Sequence, residues 1–516
     1  MGISFGGAPL TIVDGVRGFA AAQPDTPAVR DGNRILTYRE LDCRASRLAN
    51  ALTETGASPG ARVAVLLGNR LEYCEIAAGI AKAGLVMVPL NPRLAEAEVR
   101  YILGHSGSTV LIADDTAAAA VAPAVTGIAT TLTIDGTRHG DPYEAALSAA
   151  PDTDPAHPLA EHEPFCIAYT SGTTGNPKGV VISHRSRALT FHMSALEWNL
   201  GIGRRSLAVA PMYHGAGFAF GYAPVHTGGT VSMLRAWDPQ GCLAAIERDR
   251  IQSLFLVPTH AHMLRALGAK AIAGYDLTSL DTVFFNAAAL PAPLKAWVLA
   301  AFPGVGVHEL YGSTESGIIT NLRPADARRK TGSVGHPWFH TEIRIVDAEG
   351  APVAPNEPGE LFSRSPYLMN GYLDDAPATE ACTTDDGFLT CGDIAIRDAE
   401  GYIYLVDRKK DVVITGGSNV YPREVEDAAR AHPAVDDIAV VGLPDEKWGE
   451  KVAAVVVLAP GTTLDGDELV AFLRPLLAGY KLPRHVAIAA ALPRNAAGKV
   501  LKRELRARLI DESRRP

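Results

Sequence analysis

The sequence predicts an α/β protein. A large N-terminal domain of layered α/β sheets with a β-rich subdomain leads into a small α+β C-terminal domain. Three observations carry this. The chain has 516 residues, beyond the roughly 250–300 at which a single core stops growing. Short β-branched runs alternate with longer Ala/Leu-rich segments, as in layered, largely parallel sheets. Near Asp407 the pattern changes to a compact mixture of short strands and helices.

The elements follow in chain order. Residues 38–55 read as a helix and residues 62–67 (RVAVLL) and 109–113 (TVLIA) as buried strands. The uncharged stretch 116–134 is long enough to span a bilayer, but it is Ala/Thr-rich and contains Pro123 and Gly127. It reads as an Ala-rich connection or helix within the fold. Residues 207–210, 254–257 and 282–285 are further strands, and 260–267 a helix. Residues 342–347 (EIRIVD) and the Gly/Pro-rich stretch after them mark the β-rich subdomain. A strand at 402–406 enters the charge cluster 407–411, where the domain boundary is placed. Beyond it come a helix after Pro422, strands at 437–442 and 452–458, and a helix at 467–477.

Composition narrows the function classes. Hydrophobic residues make up 47% and charged residues 20%, an ordinary globular balance with material for a large core. The net charge is −9, which argues against a nucleic-acid partner, since that binding rests on neutralising phosphates. The six cysteines, Cys43, Cys74, Cys166, Cys242, Cys382 and Cys391, form no C-x-x-C pair. They read as free thiols of a reducing, cytoplasmic compartment. The N-terminus lacks the basic-then-apolar run of a signal peptide, and no membrane span is expected.

The densest chemical signal is Tyr169-Thr170-Ser171-Gly172-Thr173-Thr174-Gly175-Asn176-Pro177-Lys178-Gly179. Glycines let backbone N–H groups turn onto an anion without a Cβ in the way, hydroxyls add donors, and Lys178 adds a mobile cation. In chemical logic this is a phosphate cradle. It differs from the common nucleotide-triphosphate loop because Gly179, not Ser or Thr, follows the lysine. Composition alone leaves a flexible Ser/Thr/Gly loop as an equal alternative.

The segment resembles the phosphate loop of the adenylate-forming superfamily of acyl-CoA synthetases, peptide-synthetase adenylation domains and beetle luciferases. Other segments add to the resemblance in family order, over roughly residues 30–505. Pro211-Met212-Tyr213-His214-Gly215-Ala216-Gly217 is similar to the acyl-pocket segment, and Tyr311-Gly312-Ser313-Thr314-Glu315 to the nucleotide and metal segment. Gly392-Asp393 is similar to the ribose turn. Asp407–Asp411 with Thr415-Gly416-Gly417 is similar to the hinge and glycine loop, and Pro493–Lys499 to the C-terminal lysine segment.

The resemblance implies an ATP-dependent acid–thiol ligase with ATP, Mg2+ and coenzyme A as cofactors and a small carboxylic acid as partner. The acid becomes an acyl-adenylate and the acyl group then passes to CoA. It implies Lys499, His214, Thr314 and Glu315 as catalytic residues, with Glu315 the metal ligand. Thr170, Ser171, Gly172, Thr173, Thr174, Gly175 and Lys178 would hold phosphates. Asn286, Ala287, Ala288, Tyr311, Gly312 and Ser313 would border the nucleotide, Asp393 the ribose, and Arg408 the ribose or the α-phosphate. After adenylation, the C-terminal domain, residues 412–516, is expected to rotate about the hinge 407–411 at Lys410. Gly416, Gly417, Trp448, Tyr480 and Lys481 would then meet CoA. A carrier-protein thiol in place of CoA, efficiency in only one half-reaction, and a homodimer stay open.

Two departures from the family pattern stand out. The ribose turn reads Cys391-Gly392-Asp393, where Thr often precedes Gly-Asp. The adenine wall reads Asn286-Ala287-Ala288-Ala289, where two adjacent glycines are usual, so added Cβ atoms would narrow the space there. Peptide-synthetase activity is disfavoured because residues 215–220 carry no acid to meet a substrate ammonium, and no carrier segment is seen after Lys499. A sensor that has lost catalysis is disfavoured by the intact Lys178, Glu315, Asp393, Arg408 and Lys499. Small residues at Gly215, Ala216, Gly217, Ala287 and Ala288, with Phe218, Phe220 and Phe285 as lining, suggest an apolar monocarboxylate.

Overall fold

The computed structural model describes residues 9–136, 138–170, 176–416, 418–494 and 500–514. The protein is α/β, and its contacts divide it into two compact units: residues 1–342 with 363–389, and residues 343–362 with 390–516. The β-rich segment thus groups with the C-terminal residues. That grouping describes packing, whereas the hinge expected at 407–411 concerns motion.

In the first unit the described strands form a nine-stranded and an eight-stranded sheet. In the nine-stranded sheet, Arg205–Ala208, Ser253–Leu256, Thr282–Phe285 and Gly306–Ser313 run parallel in that order, and the antiparallel Gly317–Leu322 follows Gly306–Ser313. In the eight-stranded sheet, Arg62–Leu66 pairs in parallel with Val86–Leu90 and Ser108–Asp114. Pro164–Thr170 and Lys178–Ser183 close as an antiparallel hairpin on the same sheet. Strands buried on both faces read as near-continuous apolar runs, which is why these segments stand out in the sequence. Helix Tyr38–Glu54 starts where Thr37 and Glu40 form a capping box.

The second unit holds most of a four-stranded sheet of Glu342–Val346, Gly359–Arg364, Leu389–Arg397 and Ile403–Arg408. It also holds a five-stranded sheet built on the long antiparallel pair Val435–Asp445 and Gly449–Leu458. Side chains alternate across that pair. Ile438, Val440, Ala454 and Val456 join Val425 and Leu469 of the helices on one face. Ala439, Val441, Ala453 and Val455 meet Leu505 and Leu509 on the other.

Two expectations need correction. Residues 116–134 are not one connection or helix: they contain helix Asp115–Ala120, the 3-10 turn Ala122–Val125 and strand Thr130–Ile134. Gly127, at φ +111°, breaks the chain direction, and the β-branched Thr130, Thr131, Thr133 and Ile134 pair in parallel with Ser108–Asp114. The helix expected over 467–477 is Gly466–Leu473; Arg474 still holds helical dihedrals, but Pro475 after it has no N–H to carry the ladder on. Among the described residues no helix is long and apolar enough to cross a membrane.

Candidate active site

The phosphate-loop segment spans a hairpin. Thr170 ends its first strand and pairs across the ladder with Lys178, which begins the second. Ser171, Gly172, Thr173, Thr174 and Gly175, between them, lie outside the described residues. Thr170 Oγ1 donates to Glu315 Oε1 at 3.4 Å. Lys178 Nζ lies 3.4 Å from Asp375 Oδ2 and 4.9 Å from the ring centre of Tyr372. The Tyr372 hydroxyl donates to the same Glu315 Oε1 at 3.2 Å. The short strand Gly371–Tyr372 is in place because it pairs with Val180 and Val181 of the hairpin.

Glu315 sits in a tight turn between strands Gly306–Ser313 and Gly317–Leu322. The turn needs its glycines. A Cβ at Gly312 would lie 2.1 Å from the Gly317 carbonyl oxygen, and Gly317 itself has φ +66°. Ser313 Oγ accepts from the Ser316 N–H at 2.9 Å. Tyr311, at the end of its strand, is buried. The acyl-pocket segment approaches this turn: a Cβ built at Gly215 would stand 3.9 Å from Thr314 Oγ1. Gly217 packs so closely that a Cβ there would meet the Pro211 carbonyl oxygen at 1.9 Å, seating helix Gly215–His226 on the preceding turn.

His214 is the N-cap residue of that helix and makes no side-chain cap bond. Its residue surface is open, yet enough protein surrounds the imidazole that desolvation lowers its pKa. That shift favours the neutral ring, which can donate one hydrogen bond.

The phenylalanines expected to line the acyl site do not converge. Phe218 packs with Tyr73, Phe165, Phe191 and Tyr222. Phe220 stacks on Phe255 and lies tilted against Phe284, and Phe285 belongs to the core around Leu243 and Leu294. All three are buried, because alternate positions of a strand or helix point into different layers. Asn286, Ala287 and Ala288 follow strand Thr282–Phe285, and Asn286 Oδ1 accepts from the Ala287 N–H at 2.6 Å. Ala287 keeps a left-handed backbone, φ +69°, although it carries a Cβ. A residue other than glycine costs roughly 1–2 kcal/mol there.

Two arginines of the first unit differ in their partners. Arg235 is committed to Asp31 at 2.8 Å. Arg187, on helix His184–Trp198, is only 8% exposed. Its Nε is buried without a hydrogen-bond partner, and burial lowers its pKa with no carboxylate to offset it.

In the second unit, Asp393 and Arg408 are register partners on neighbouring strands, with Arg408 Nε 2.9 Å from Asp393 Oδ1. The hydroxyl absent at Cys391 has a neighbour in Thr390, whose Oγ1 accepts from the Gly392 N–H at 3.0 Å. Lys410 lies in the 3-10 turn Lys409–Asp411. Gly416, φ +58°, lies against Trp448: a Cβ there would be 2.8 Å from the indole Cε3. Lys447 and Arg484 place their cations 4.9 and 4.7 Å from the same indole. Tyr480 is exposed, and Lys481 bonds both oxygens of Glu424 at 2.6 and 2.8 Å. Gly417 and Lys499 lie outside the described residues.

No group of three or more His, Cys, Asp or Glu among the described residues is arranged to hold a metal. Around Glu315 the donors are oxygens, with Thr170 and Tyr372 at hand. One carboxylate with hydroxyl oxygens beside it fits Mg2+, which takes one or two carboxylates and completes its shell with water and substrate phosphates. Sequence reasoning missed Tyr372, Asp375 and Arg484. Tyr372 stands 57 residues from Glu315, and no local pattern links the two.

The AMP-binding enzyme family model matches residues 16–373, and that of the AMP-binding enzyme C-terminal domain matches residues 424–499. The feruloyl-CoA synthase of an Amycolatopsis species is 39% identical over 493 residues, 95% of this chain and 97% of that protein. The fatty acid–acyl-carrier-protein ligase ScoC of Streptomyces coeruleorubidus is 35% identical, covering 98% of each chain. Among solved structures, the amide bond synthetase McbA of Marinactinospora thermotolerans superposes with a TM-score of 0.88 at 29% identity, covering 96% of this chain and 99% of that one.

Proposed function

The chain belongs to the AMP-binding enzyme family and is an ATP-dependent acid–thiol ligase, and from that premise we propose how its residues divide the two half-reactions. In the first, a carboxylate oxygen of the acid attacks the α-phosphorus of ATP, the bond to the β,γ-diphosphate breaks, and pyrophosphate leaves with its charge. Such a step is catalysed mainly by positioning and preorganised positive charge. Lys178 and the hydroxyls of the hairpin loop bind the phosphates. Glu315 would hold a magnesium ion, which would supply positive charge toward the leaving pyrophosphate. Thr314 hydrogen-bonds the α-phosphate, neutral His214 orients the acid carboxylate, and Lys499 bridges the two anions as they meet. Tyr311 borders the adenine, and Asp393 accepts from the ribose hydroxyls while Arg408 holds the carboxylate in place.

In the second half-reaction a thiolate attacks the acyl carbon and AMP leaves. The C-terminal residues turn about Lys410, withdrawing Lys499 and bringing Gly416 and Gly417 to the pantetheine. The indole of Trp448, flanked by Lys447 and Arg484, suits an adenine ring with phosphates beside it. Coenzyme A is the thiol this favours. The 35% identity to a carrier-protein ligase keeps a carrier thiol as the second reading.

The observation that carries the proposal is the meeting of Thr170, Lys178, Glu315 and Tyr372 at the mouth of the hairpin. The acid is an apolar monocarboxylate, in the aryl or fatty range that the relatives' names span. The test is a panel of acids with ATP and CoA, products read by mass spectrometry. Each buried methylene should add about 0.8 kcal/mol until the pocket fills, so kcat/KM rises with apolar size from acetate upward and stays low for malonate and succinate. A preference for acetate or a dicarboxylate would overturn the assignment of the acid. A carrier protein accepted far better than CoA would overturn that of the thiol.

A further inference from the structure

Glu315 and Lys178, the two charged groups that meet metal and phosphate in the reading above, come from different sheets. Something must fix their separation. The segment 369–373 touches both. The Met369 N–H donates to the Glu315 carbonyl at 2.8 Å. The Asn370 and Leu373 N–H groups donate to the carbonyls of Val181 and Gly179, each at 2.8 Å. Tyr372 lies between these anchors, and its own N–H donates to Thr379 Oγ1 at 2.9 Å. From that fixed backbone its hydroxyl reaches Glu315 Oε1 at 3.2 Å while its ring carries the Lys178 ammonium 4.9 Å from its centre.

We infer that Tyr372 is a positioning residue that sets the Glu315 carboxylate and the Lys178 ammonium in one geometry for a metal–triphosphate. The inference rests on the reading that Glu315 meets the metal and Lys178 the phosphates. Tyr372 and Thr170 both donate to Oε1, which fixes the rotation of the carboxylate about its last torsion, otherwise a broad and soft one. The ring face attracts the ammonium by its quadrupole and keeps it from swinging to solvent. Tyr372 touches neither phosphate nor acid in this account and acts only through its two neighbours.

The two functions separate by substitution. Tyr372→Phe removes the hydroxyl and keeps the ring; Tyr372→Leu removes both. Binding of Mn2+ as a magnesium probe, followed by electron paramagnetic resonance with a non-hydrolysable ATP analogue, reads the metal directly. Mg2+ titration of acid-dependent pyrophosphate exchange reads it in turnover. For Tyr372→Phe the account expects metal affinity to weaken about tenfold or more, while KM for ATP at saturating Mg2+ stays within about twofold. Tyr372→Leu should show the same metal loss and in addition raise KM for ATP roughly 2–30-fold. Unchanged Mn2+ binding and Mg2+ dependence in Tyr372→Phe would overturn the inference. So would equal loss of metal and ATP binding in both variants with a lowered melting temperature, the mark of a packing role. Glu315→Gln separates this failure from that of the parent reading: wild-type metal dependence in that variant would overturn both.

Discussion

Lys178 and Asp375 face each other across 3.4 Å at the mouth of the phosphate hairpin, with side chains 26% and 39% exposed. An ion pair this open is worth roughly 0–1 kcal/mol, so on the proposed reading a triphosphate would take the lysine from the aspartate at little cost. Asp375 also accepts from the Ala378 N–H at 3.1 Å as the N-cap of helix Ala376–Cys382. Asp375→Asn keeps that acceptor and removes the charge. It should lower KM for ATP up to about fivefold with an unchanged melting temperature, measured by steady-state kinetics and thermal unfolding. A raised KM would mean that Asp375 orders Lys178 instead of competing for it.

Two buried histidines contribute to the acid limb of stability. His184 is 1% and His226 2% exposed, and burial lowers their pKa values to about 4 and about 3. Both lie below the ordinary histidine value of about 6.5. Below that pH the unfolded chain takes up protons that the folded chain refuses, so their contribution is present above about 6.5 and is lost as pH falls. The loss is up to about 1.4 kcal/mol per pH unit for each ring, continuing to about pH 4 for His184 and pH 3 for His226. Glu75 and Asp407, pushed up by burial, act in the opposite sense nearer the carboxylate range. Melting temperature should therefore fall from pH 7 to pH 5, with a shallower slope in His184→Gln. A flat profile would contradict the buried neutral state.

Arg187 is a charge without a carboxylate beside it. Taking a guanidinium out of water unpaired costs several kcal/mol. Arg187→Met keeps most of the volume and removes the charge, so the ligand-free protein should melt higher. Differential scanning fluorimetry checks the direction. A lower melting temperature would show that the guanidinium finds a partner in solution.

Much of this architecture was legible in the sequence. The strands at 62–67, 109–113 and 282–285 stood out because both faces of each are covered, leaving a continuous apolar run. The helix at 38–55 stood out as one of the longer segments between the strand-like runs. Strand Thr130–Ile134 was hidden by the Ala-rich stretch before it, since only its partner Ser108–Asp114 makes those threonines a strand. The motif residues were legible one segment at a time. What joins them was not: Tyr372 reaches Glu315 through a sheet edge set by Val180 and Val181, and such a pairing has no local signature. Phe218, Phe220 and Phe285 share apolar character but not a direction, because direction is fixed by the layers they enter.

The central claim is that one chain activates the acid as an adenylate with Lys499 acting only in that half-reaction. The direct measurement is acid-dependent exchange of labelled pyrophosphate into ATP by the wild type and by Lys499→Ala, beside thioester formation from supplied acyl-adenylate and CoA. The account predicts exchange in the wild type, its loss by about 10²–10³-fold or more in the variant, and thioester formation retained by both. No acid-dependent exchange in the wild type, or loss of both half-reactions in Lys499→Ala, would contradict it.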